Sequence, residues 1–82
     1  MSCQPEWKQR PYYDIYDEAV NLRYKTPRRP KEALALMRDA CRYNVEKQDL
    51  TCYNYGVLLE LEGKPPGEIA AAFRQATELR PR

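Results

Sequence analysis

Two proline-bearing breaks, KTPRRPK (Lys25–Lys31) and GKPPGE (Gly63–Glu68), constrain this chain more than any other feature. Proline lacks an amide proton and has a fixed φ, so a helix tolerates it in its first turn and not in its interior. Each break therefore ends one helix and opens another. A softer break, YNVEKQD (Tyr43–Asp49), loses apolar periodicity and gathers charge around Asn44. Three breaks leave four helical segments, at about 12–25, 30–44, 48–62 and 66–79. Whether the first begins earlier, near Pro5-Glu6-Trp7, the sequence leaves open.

Apolar spacing supports each segment. Ile15, Ala19 and Leu22 follow helical periodicity, as do Ala33, Met37, Ala40 and Cys41, and Ile69, Phe73 and Ala76. Glu32 suits the positive end of its helix, and Gly63 suits the position just past a helix. Pro81 stops the last segment. Val, Ile and Thr do not cluster and no alternating run appears, so the fold class is all-α: four helices as two stacked antiparallel hairpins.

At 82 residues the chain makes one small domain, expected over 12–82 with units at about 12–45 and 49–81. Residues 1–11 read as a flexible or partly helical tail. A domain this short buries only about 60–65 % of its unfolded surface, so it leans on a staple or a partner. The three cysteines, Cys3, Cys41 and Cys52, form an odd set, two of them inside helical patterns. This predicts reduced thiols and a cytoplasmic location, with Cys41 and Cys52 packing as small apolar groups. Without histidine or a C-x-x-C pair, no metal site or cofactor is expected. No signal-like run opens the chain, and no run approaches the roughly 18 apolar residues of a membrane span. A net charge of +2 does not force a polyanionic partner.

The two halves repeat. PKEALALMRDACRY aligns with PGEIAAAFRQATEL at an offset of 36 residues, matching Glu32 with Glu68, Ala33 with Ile69, Met37 with Phe73, Arg38 with Arg74, and Ala40 with Ala76. Between them lies CYNYGVLLELEG, where Gly56 interrupts a helix at a cost of about 1 kcal/mol relative to alanine. Tyr53-Asn54, Gly56, Leu59, Gly63, Glu68, Phe73, Ala76, Leu79 and Pro81 together make residues 49–81 resemble a tetratricopeptide repeat. GKPPGE is one residue longer than that family's turn, Ile69 stands where alanine is usual, and the first unit is degenerate, with Glu18 at a normally apolar position. By this resemblance Gly56 is a packing glycine that admits the neighbouring helix.

The resemblance implies a protein-binding scaffold whose first helices line a concave face. The face would carry Tyr13, Tyr16, Asp17, Val20, Arg23 and Tyr24 in the first unit. In the second it would carry Leu50, Tyr53, Asn54, Val57, Glu60 and Leu61. The spacing of Leu50, Tyr53, Asn54, Val57 and Leu61 independently places them on one helix face. Such an apolar, tyrosine-rich face suits a partner peptide or amphipathic helix; residues such as Val57 and Leu61 equally suit a core. A binding module, adaptor-like or chaperone-like, is the leading expectation. The chain leaves little room for a polar capping helix, so a homodimer or heterocomplex is expected, with Ala70, Phe73 and Thr77 forming a semi-apolar end face. An inhibitor or immunity-type protein fits the same features. Nucleic-acid binding is the other competitor, through the basic turn of Arg23, Lys25, Arg28, Arg29 and Lys31; that turn also reads as a solvated surface. Catalysis is not expected: histidine, the commonest general base, is absent, and Gly56, Gly63 and Gly67 form no phosphate loop.

Overall fold

In a computed structural model, which describes residues 9–80, the chain folds as four helices: α1 (Tyr12–Tyr24), α2 (Pro30–Tyr43), α3 (Gln48–Leu61) and α4 (Pro66–Leu79). Among the described residues there is no strand. Cys3, Trp7 and Pro81 lie outside them. The predicted breaks fall where the connections are, and Pro30 and Pro66 each open a helix. Helix α3 ends as Gly63 predicts. Its φ is +68°, its amide donates to the Glu60 carbonyl, and the Lys64 amide reaches back to Leu59. That double closure is the Schellman motif.

Each helix packs on the next, α1 on α2, α2 on α3 and α3 on α4, while α1 and α3 touch sparsely. The first core joins Ile15 and Ala19 of α1 to Ala33, Met37 and Ala40 of α2, with Leu22, Leu36, Tyr55 and Leu58 against it. A second cluster joins Cys41, Cys52 and Ala76. Tyr55 packs against both clusters and links them.

Gly56 is buried where α3 meets α4. A Cβ built there would lie 2.7 Å from Phe73 Cε1 and 2.8 Å from Cδ1, inside van der Waals contact. The missing side chain is what lets the ring lie across α3, so the propensity cost is offset by close packing. Phe73 is only half-buried, and α4 buries the smaller Ala72 and Ala76. Of the expected end face, Ala70 and Thr77 are exposed.

The cysteine expectation is overturned. Cys41 and Cys52 form a disulfide, with 4.5 Å between their Cα atoms. Counting three cysteines hid the pair because the count carries no geometry. Cys41 lies in the last turn of α2 and Cys52 in the second turn of α3. The antiparallel connection sets them side by side. The ground for inferring a reducing compartment falls with the thiols. No helix among the described residues is long and apolar enough to cross a membrane.

The soft break at Asn44 proves to be a polar junction. Asn44, at 0 % exposure, accepts from the Arg10 amide (2.7 Å) and donates to the Arg10 carbonyl (2.9 Å). Gln9 adds two more bonds, to the Tyr43 carbonyl and from the Val45 amide, each 2.8 Å. The Tyr12 amide donates to Glu46 Oε2 (2.9 Å). Residues 9–12 are thus fastened to the α2–α3 turn. Lys47 closes that turn in the left-handed region, φ +47°.

Candidate functional site

Between α1 and α3 runs an apolar groove enclosing about 110 Å³. Helix α1 contributes Tyr16, Ala19, Val20, Arg23 and Tyr24; α3 contributes Asn54, Val57, Leu58 and Leu61; Met37 of α2 also lines it. The helical repeat explains the α1 set, because positions 16, 20, 23 and 24 share one face. Leu61 is 52 % exposed and Tyr24 58 %, so the groove's upper walls meet solvent.

The groove is bracketed at both ends. At one, the Asn54 side-chain amide donates to the Tyr12 hydroxyl at 2.5 Å. At the other, the Arg23 guanidinium donates to Glu62. Since Tyr12 meets Asn54 and Arg23 meets Glu62, α1 and α3 run parallel. Eleven residues of α1 separate the brackets, which at 1.5 Å rise per residue is roughly 16 Å. Burial pushes the Tyr12 phenol above the ordinary tyrosine pKa, opposed by the bond from Asn54 and reinforced by Tyr16, Tyr13 and Asp49.

Of the nine residues expected to meet a partner, Tyr16, Val20, Tyr24, Asn54, Val57 and Leu61 line this groove. The other three stand outside it. Tyr13 is exposed, with the Lys47 ammonium 5.0 Å from its ring centre. Tyr53 packs on Phe73, ring centres 5.4 Å apart. Leu50 is exposed on the first turn of α3. Asp17 and Glu60 are exposed and outside the groove lining. The amide of Asn54 is committed to Tyr12, a partner its sequence position does not disclose.

The basic turn is not one free patch. Arg23 is largely buried and neutralised by Glu62, with its Nε unpaired and its guanidinium 5.4 Å from the Tyr24 ring centre. Arg29 pairs with Glu32 at 3.7 Å. Lys25, Arg28 and Lys31 remain exposed. Among the described residues no cluster of His, Cys, Asp or Glu is placed to hold a metal ion.

The fold and groove define a small all-α protein of paired helical hairpins with an apolar cleft between parallel helices. The chain matches no protein-family profile, no curated protein and no solved structure.

Proposed function

We propose that this protein is a non-enzymatic interaction module that holds a segment of another protein in the α1–α3 groove. The observation that carries the reading is an apolar, tyrosine-walled cleft open to solvent between two parallel helices. Tyrosine combines large contact area with a polar tip and is enriched where proteins meet. At roughly 16 Å between brackets, the cleft matches about three turns of helix or five extended residues. The resemblance of residues 49–81 to a tetratricopeptide repeat supports the same role. Adaptor and chaperone-like subunits share this chemistry with inhibitors. A chaperone's client is unstable alone, whereas an inhibitor's target is stable and loses activity on binding.

The test is affinity capture with the tagged full chain, run beside Val57→Asp and Val20→Asp. One stoichiometric protein that both substitutions release, with the variants still helical, supports the reading. Capture that survives both substitutions refutes the groove. Nucleic acid lost between about 50 and 200 mM salt, and lost on neutralising Lys25, Arg28 and Lys31, moves function to the basic turn.

A further inference from the structure

The groove does not end at the Arg23–Glu62 bracket. Arg23 and Tyr24, which line it, also line a second hollow of about 250 Å³ that Arg28, Pro30 and Glu62 complete. The apolar cleft therefore opens directly into the basic turn.

Charge along this path is uneven. Beyond the bracket, Arg23 is neutralised by Glu62 and Arg29 is paired with Glu32. That leaves Lys25 and Arg28 exposed and without an ion pair among the described residues. Against these two cations stands the exposed Glu60, on the last turn of α3. Lys31 and Lys64 line a separate hollow with Arg38 and Glu68 and take no part. At the Tyr12–Asn54 end the balance inverts. Asp14, Asp17 and Asp49 have no ion pair among the described residues, and the cation beside them, Lys47, sits over the Tyr13 ring. Asp17 shares the α1 stripe of Tyr13, Tyr16, Val20 and Tyr24 by helical repeat. Asp49 lies close enough to act on the Tyr12 phenol.

We infer that the guest of this groove is a protein segment with an apolar stretch flanked on one side by acidic residues, which seat over Lys25 and Arg28. The inference rests on the binding role proposed above and adds the guest's charge pattern. The apolar stretch fills the cleft. Acidic residues on the opposite flank would meet Asp17 and Asp49, so the pattern is one-sided. A nucleic acid is a poorer fit, because its charge runs along its whole length. Its phosphates would have to enter an apolar cleft and pass Asp17, and burying unpaired charge is costly. Exposed ion pairs are individually weak, so two of them raise affinity by about 2–30-fold. The cleft supplies the rest, and the charges choose among apolar guests.

The experiment selects phage-displayed random peptides on the full chain. At about 16 residues they span the bracketed cleft as a helix with flanks to spare. Val57→Asp and the exposed Leu61→Gln, both checked for helix content, identify peptides that need the groove. The expected result is that these peptides carry Asp or Glu on one side of an apolar stretch. Changing those acids to amides in a synthetic peptide should weaken binding by about 2–30-fold in fluorescence anisotropy. The gap should close between about 0.1 and 1 M salt, as the screening length falls from roughly 10 Å to 3 Å. Selection on Lys25→Glu/Arg28→Glu should favour basic flanks instead. Groove-dependent peptides without a charge bias overturn the inference and leave the groove reading standing, and so does an acidic preference that Lys25→Glu/Arg28→Glu does not move. Absence of any peptide released by both groove substitutions removes the groove reading and the inference with it. A single-stranded oligonucleotide that binds more tightly than any peptide, is lost in Lys25→Glu/Arg28→Glu and is untouched by Leu61→Gln assigns the two cations to phosphate and also overturns the inference.

Discussion

Gly56→Ala tests the packing argument most directly. Alanine in a helix interior gains about 1 kcal/mol over glycine from backbone entropy. Here the added methyl meets Phe73 Cε1 at 2.7 Å, Cδ1 at 2.8 Å and Cζ at 3.1 Å. Ordinary contact requires the ring to retreat by roughly 0.7 to 1 Å, and overpacking of this kind costs about 1–3 kcal/mol. Tyr53, one turn earlier on α3, packs against the same ring with centres 5.4 Å apart, so a shift of the ring disturbs that contact as well. The net expectation is a loss of about 0–2 kcal/mol where propensity alone gives a gain. A double-mutant cycle separates the two effects. In a Phe73→Ala background nothing opposes the methyl, so Gly56→Ala should stabilise by about 1 kcal/mol, giving a coupling of about 1–3 kcal/mol. Urea denaturation of all four proteins, with m-values compared, reads the cycle. If Gly56→Ala stabilises both backgrounds equally, the contact with Phe73 is not what the glycine serves.

Asn44→Ala strips partners from both the amide and the carbonyl of Arg10 and should cost about 2–4 kcal/mol, measured as a fall in denaturation midpoint; Asn44→Asp, which keeps only the acceptor, should recover part of it. Reducing Cys41–Cys52 releases a loop of sequence separation 11 in the unfolded chain, so stability should drop by about 2–3 kcal/mol. Calorimetry with and without a dithiol checks that value. Glu62→Gln removes the anion facing the Arg23 guanidinium and should destabilise by about 1–3 kcal/mol, whereas Glu32→Gln, at an exposed and looser pair, should be nearly silent in the same melts. Tyr12, being buried, keeps its phenolic proton longer when folded than when unfolded. Its contribution is therefore complete below about pH 10, the unfolded value, and is lost as pH rises through the folded value. Alkaline denaturation should be milder in Tyr12→Phe, and ultraviolet titration should show a phenol ionising above the ordinary tyrosine value that this substitution removes.

The fold was legible because its signals are local. Proline position, a glycine past α3 and helical spacing of Ile15, Ala19, Met37 and Ala40 are each read within a few residues, and the observed helices end within one residue of the expected segments. The groove was legible in part for the same reason: Tyr16, Val20, Val57 and Leu61 share helix faces that periodicity exposes. What the sequence did not disclose is long-range pairing. Asn54 with Tyr12, Arg23 with Glu62, Asn44 with Arg10 and Cys41 with Cys52 each depend on how one helix meets another. No spacing rule encodes these. Asn44 in particular reads as a loop residue because its composition is polar, and only the packed turn shows that it is buried.

The sparse contact between α1 and α3 carries a mechanical consequence. The two walls of the cleft touch each other only sparsely; both are mounted on α2 and tied by a strut at either end. The width of the cleft is thus a property of how α1 and α3 lean on α2, governed by residues such as Ala33, Leu36 and Met37. Two of these, Ala33 and Leu36, lie outside the groove lining. A change at Leu36 therefore alters the support beneath the cleft without altering its walls. The cleft behaves as a gap between two beams on one support, and its width is set from beneath.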